Sequence, residues 1–115
     1  MNSKSIPPLN ALRAFESSAR NLSFSKAAKE LNVTPAAVGH QVKSLEHILN
    51  EPLFIRLNRE IRLTEAGQAL LPGLTDVFTQ LSQVITKFRK IDKNRTLTVS
   101  TTIPVAITWL IPQFN

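Results

Sequence analysis

The chain has 115 residues, room for one small domain and an appendage, and 14 lysines and arginines against 8 acids give it a formal charge of +6. That excess favours a polyanionic partner, nucleic acid first, and it is not confined to a tail: Arg13, Arg20, Lys26, Lys29, Lys43, Arg56, Arg59 and Arg62 are interleaved with apolar periodic positions, as on a folded module. With no cysteine, two histidines, no glycine-rich phosphate loop and no carboxylate cluster, the sequence offers neither disulfides nor a catalytic centre, so no enzyme, no metal site and no cofactor are expected.

Pro7 and Pro8 suit a lead-in to a first helix over about residues 8–20, on which Leu9, Leu12, Phe15 and Ala19 recur at helical spacing and which Asn21 closes. Ser23 is a good cap for a second helix that turns Ala27, Ala28 and Leu31 inward and Lys26, Lys29 and Glu30 outward. Asn32, able to take the left-handed conformation, and Val33 make a tight turn. Thr34 caps and Pro35 begins a third helix, which packs Val38, Val42, Leu45 and Leu49 and ends near Asn50, where Pro52 stops it. Two short helices joined by such a turn, the second burying one face and offering small residues on the other, form a helix-turn-helix whose second member enters the DNA major groove.

Leu53–Leu57 and Ile61–Leu63 flank Asn58, Arg59 and Glu60, a pattern suited to a short hairpin, or wing, although the turn lacks the Asn-Gly signal. Thr64 then opens a long helix. Its apolar residues Leu70, Leu74, Val77, Leu81, Val84, Phe88 and Ile91 alternate steps of four and three, the period of a coiled-coil seam. Pro72 and Gly73 interrupt it without breaking the register, which predicts a kink. From Thr64 to Lys90 such a helix is about 40 Å long, more than a domain of some sixty residues covers, so pairing with a second copy is the expectation, with packing along its own domain as the alternative.

Asp92–Arg95 reads as a polar hinge, Thr96–Ser100 alternates as a strand, and Val105–Ile111 is apolar and helical around Trp109. A single strand and part of a helix cannot bury themselves, so these residues read as the opening of a second domain whose remainder is absent.

The motifs Ser-Phe-Ser-Lys-Ala-Ala-Lys-Glu-Leu at 23–31, Val-Thr-Pro-Ala-Ala-Val-Gly-His-Gln-Val-Lys-Ser-Leu-Glu at 33–46, Pro-Leu-Phe-Ile-Arg at 52–56 and Leu-Thr-Glu-Ala-Gly at 63–67 together resemble the N-terminal part of LysR-type bacterial transcription regulators, most of all the branch that includes the glycine-cleavage activator. The resemblance runs without a gap from Leu9 to Asn115. It implies a mainly α fold: a winged helix-turn-helix DNA-binding domain over 1–63, a linker and dimerisation helix over 64–91, and over 92–115 a hinge with the first strand and helix of a truncated α/β effector-binding domain. It also implies that Ser100, Thr101 and Thr102 match effector-binding hydroxyls, with ordinary strand threonines as the alternative. The small-molecule effector is expected only in a full-length protein.

The outward positions near the start of the third helix are Thr34, Pro35, Ala36, Gly39, His40 and Lys43, and the resemblance places base and phosphate contacts at Pro35, Ala36, Gly39 and His40. Ala36 suits a thymine methyl, and His40 a guanine or phosphate, with an idle surface imidazole as the alternative. Ser25 and Lys26 suit phosphate, as do Arg56, Arg59 and Arg62 of the wing. No arginine is placed on the third helix to grip guanine, so AT-leaning sites with a share of indirect readout are expected. Gly39 stands where the family commonly has serine; either the backbone approaches DNA closely there or the glycine is a tolerated loss.

Two copies joined along the linker would favour an inverted-repeat operator. A rival reading is an interaction protein that heterodimerises with full-length regulators through the linker helix. The N-terminus has no signal-like apolar run, and the C-terminus is too short and too interrupted by Pro112 for a membrane anchor, so a cytoplasmic, nucleoid-associated protein is expected.

Overall fold

A computed structural model of the chain describes residues 6–101, with the backbone alone for 92–101. In order come α1 (Leu9–Asn21), α2 (Phe24–Leu31), α3 (Pro35–Leu49), β1 (Phe54–Arg56), β2 (Ile61–Leu63) and α4 (Glu65–Thr101). The chain divides into two units at Asp76 and Val77. The first holds α1–α3, the hairpin and the root of α4.

Side-chain oxygens set the helix starts. Ser23 Oγ accepts the Lys26 N–H at 3.0 Å, and Thr34 Oγ1 accepts that of Ala37 at 3.1 Å, with Pro35 in the first position where no N–H is missed. Thr64 Oγ1 accepts from the Gly67 N–H at 3.1 Å and donates to the Pro52 carbonyl at 2.8 Å, tying the start of α4 to the end of the α3–β1 loop. All three short helices end on a left-handed residue: Leu22 (φ 50°), Asn32 (φ 61°) and Asn50 (φ 56°). Asparagine tolerates that conformation; leucine pays roughly 1 kcal/mol for it.

The core of this unit is Phe15, Val38, Val42, Leu45, Leu53 and Phe54, with Ala11, Ala14, Ala27 and Ala28 where the helices touch. Small residues at those crossings let α1, α2 and α3 approach closely enough for the larger ones to interlock. Phe54 joins the hairpin to them: its ring lies 5.5 Å from that of Phe15 and meets Phe24 edge-on at 5.6 Å. Leu49, expected to pack, does not, and Leu9 of the periodic set on α1 is also exposed. Leu9, 57% exposed, is the first residue of α1, and Leu49, 39% exposed, the last of α3, each at a helix end.

The hairpin pairs Phe54 with Leu63, Ile55 with Arg62 and Arg56 with Ile61, antiparallel, and the Leu57 N–H donates to the Glu60 carbonyl at 2.8 Å. Its tip, Asn58–Arg59, has no positive φ, so it does without the Asn-Gly pair that a primed turn demands.

α4 passes through Pro72 and continues to Thr101. The expected hinge at 92–95 and strand at 96–100 are therefore corrected: their backbone is helical. No glycine or proline falls between Leu74 and Ile103, and a helix satisfies its own N–H and C=O groups where a strand needs a neighbouring edge. The helix expected around Trp109 lies outside the described residues.

Candidate nucleic-acid interface

The inner face of α3 carries Val38, Val42 and Leu45, all essentially inaccessible, and its outer face carries the predicted reading residues. Thr34, Pro35, Ala36, His40 and Lys43 are exposed and Gly39 is half-buried, with open space where a β-carbon would stand. Among the described residues none of these side chains makes a hydrogen bond within the fold beyond the cap of Thr34. α3 is fastened from behind and left clear in front.

Ser25 and Lys26 are exposed on the first turn of α2. In the wing, Arg59 is exposed at the tip, and Arg62 is exposed with its guanidinium 3.8 Å from Glu60. Arg56 is placed differently. Its guanidinium lies 5.1 Å over the Phe24 ring and 3.5 Å from Glu46, so it links β1 to α2 and α3. Glu46 Oε2 also accepts the N–H groups of Leu53 at 2.7 Å and Phe54 at 3.1 Å. One carboxylate on α3 thereby anchors the root of the wing, and hairpin and reading helix form one body.

A second polar network joins three helices. Glu16, buried on α1, accepts from Arg20 at 2.8 and 3.0 Å and from the Thr75 hydroxyl of α4 at 2.8 Å. Arg20 reaches on to Glu30 of α2, which also accepts from Asn21 at 3.2 Å. The hydrogen bonds from Arg20 hold the Glu16 carboxyl below its ordinary range against the opposing effect of burial, with help from Thr75, and bring Glu30 to about 2. Arg20 in turn is held well above the usual arginine value, chiefly by its bond to Glu16.

Of the predicted seam, Leu70 and Leu74 are half-buried, whereas Val77, Leu81, Val84, Phe88 and Ile91 are 45–60% exposed. Ser100 and Thr101 lie on helical backbone instead of following a strand, and Thr102 is outside the described residues. No group of three metal-ligating side chains occurs among the described residues, and no helix there is long and apolar enough to cross a membrane.

Sequence reasoning missed the two carboxylate anchors. Each carried a signal: Glu16 and Arg20 stand four apart on α1, the spacing of an ion pair on one helix face, and Glu46 precedes the very loop whose N–H groups it accepts.

Three small helices with a clear-faced third and a two-stranded wing beside it define a winged helix-turn-helix, a DNA-reading head. The pattern of the bacterial regulatory helix-turn-helix proteins of the lysR family matches residues 9–68, and the chain belongs to that family. It is similar to the glycine cleavage system transcriptional activator of Escherichia coli K12, 48% identical over 113 residues, covering 98% of this chain and 37% of the relative. It is also similar to the HTH-type transcriptional activator AmpR of Pseudomonas aeruginosa, 50% identical over 108 residues, covering 94% and 36%. A solved complex of the BenM DBD with catB site 1 DNA superposes with a TM-score of 0.65 at 25% identity, over 74% of this chain and 94% of that one. The chain thus spans a little over a third of the length of the two curated relatives.

Proposed function

We propose that this chain is the DNA-reading part of a LysR-type transcription regulator that binds AT-leaning, inverted-repeat operators as a dimer and acts at the nucleoid, in the cytoplasm. The observation that carries the reading is the division of α3: Val38, Val42 and Leu45 sealed within the core, and Pro35, Ala36, Gly39, His40 and Lys43 turned outward on a helix braced by the wing. Ala36 and Gly39 let the helix lie close to base edges, with thymine methyls against Ala36 and a guanine or phosphate within reach of His40. Ser25, Lys26, Arg59 and Arg62 supply phosphate contacts that set register, with Arg56 contributing through the placement of the wing.

Residues 1–63 form the reading head and 64–91 the pairing helix. The exposed stripe Val77, Leu81, Val84, Phe88 and Ile91 has the 3.5-residue period of a seam between two copies, and a dimer sets two reading heads about 34 Å apart, one duplex turn. Two-fold symmetry in the protein then calls for two-fold symmetry in the operator. A small-molecule effector would act through a further domain of a longer chain. The relatives named as transcriptional activators and the neighbour solved with DNA support the reading.

Selection of bound sequences from random duplexes tests it. AT-leaning half-sites in inverted order, one turn apart, are expected. Failure to retain any duplex at low salt refutes it, and retention only in the presence of a longer relative favours the heterodimerising interaction protein instead.

A further inference from the structure

Beside the first two turns of α3 lies a groove of about 190 Å³, floored by Ala14, Leu31, Val33, Ala37 and Val38 and edged by Asn10, Arg13 and Gln41. Its polar edge is rich in donors: a guanidinium and two carboxamides, with no carboxylate among the lining residues. Arg13 is exposed on α1, and it is set apart from Arg20, Arg56 and Arg62, each of which faces a carboxylate within 4 Å; among the described residues Arg13 faces none. The N–H groups of Ala37 and Val38 are already taken by the Thr34 hydroxyl and carbonyl, so any grip on an anion in the groove comes from the side chains at its edge.

We infer that this groove is a seat for a DNA backbone phosphate, gripped by Arg13 with Asn10 and Gln41 as neutral donors. The inference rests on the DNA-reading function proposed above and extends the contact surface to α1. A helix lying in the major groove brings the elements at its flanks against the sugar-phosphate strands, and Asn10, Arg13 and Gln41 flank the same two turns that carry Pro35, Ala36 and Gly39. A phosphate seat there adds a contact from α1 to those from α2 and the wing, and so further fixes the rotation of α3 about its own axis. It adds affinity for every sequence and discriminates among none.

The test is a salt titration of duplex binding by the full chain, using one selected operator and one unrelated duplex. Arg13→Gln is expected to lower the slope of log K against log salt by about 0.9 on both duplexes while leaving their affinity ratio unchanged. Arg13→Lys, which keeps the charge, is expected to restore most of the slope. Thermal unfolding of both variants should match the parent, because Arg13 is exposed. An Arg13→Gln protein with the parental slope overturns the phosphate seat while leaving the DNA-reading function standing. A loss of slope that lysine does not restore assigns Arg13 to packing and overturns it too. Absence of duplex binding by the parent protein overturns both readings.

Discussion

Gly67 and Gly39 both sit inside helices, yet alanine should move stability in opposite directions at the two. A β-carbon on Gly67 would stand 2.4 Å from the Leu53 carbonyl oxygen and 2.8 Å from Leu63 Cδ2. That carbonyl is not free to swing aside, because it accepts the Thr64 N–H at 3.1 Å. The root of α4 and the root of the wing must therefore part by more than about half an ångström, an overpacking that costs roughly 3 kcal/mol against main chain. The helical preference of alanine returns about 1 kcal/mol, leaving a net loss of about 2. At Gly39 an added methyl meets nothing within 4 Å, so only the propensity gain of about 0.5–1 kcal/mol remains. Urea unfolding at one fixed protein concentration, with the slope m unchanged, separates the pair by about 2.5–3 kcal/mol. A Gly67→Ala protein as stable as the parent, or shifts of one sign for both, refutes the packing argument. Gly39→Ala carries a second reading: weakened DNA binding supports close backbone approach to the duplex, and unchanged affinity removes it.

Arg59→Ala should weaken binding to all duplexes alike and lower the salt slope by about one; an unchanged slope takes the wing tip out of the interface. Leu81→Arg should yield monomers by sedimentation and weaken DNA binding, whereas a dimeric Leu81→Arg protein contradicts the seam. Glu46→Ala leaves the N–H groups of Leu53 and Phe54 without their acceptor and should cost about 2–3 kcal/mol in denaturant unfolding, with Glu46→Gln milder. Glu16 and Glu30 are both held below the ordinary 4.5, so the stability they confer is complete above pH 4.5 and is lost as pH falls toward the folded values, about 2 for Glu30. Glu30→Gln should flatten that acid limb of a stability–pH profile, and an unaltered limb would deny the Arg20 network its role.

The helices were legible because their signals are local. Ser23, Thr34, Pro35 and Asn32 act within one turn of themselves, and each does in the structure what its chemistry demands. The hairpin could be placed although its tip broke the usual rule, since Phe54 and Leu63 alternate inward on either side of it. What could not be read was set by groups far apart in sequence: Thr75 donating to Glu16 across 59 positions, and Gly67 pressed against the Leu53 carbonyl. The contacts of Arg56 could not be read for the same reason, because its partners Phe24 and Glu46 lie on two other elements. The strand expected at 96–100 failed on a different count. Alternation states only which faces a strand would have, while the pairing that makes it a strand must come from elsewhere.

The clear front of α3 separates two kinds of evolutionary change. Residues 36, 39, 40 and 43 can be exchanged without touching Val38, Val42 or Leu45, so changes on the outer face of α3 need not be compensated in the core. Relatives can diverge from such a head one outer-face substitution at a time, each intermediate remaining folded.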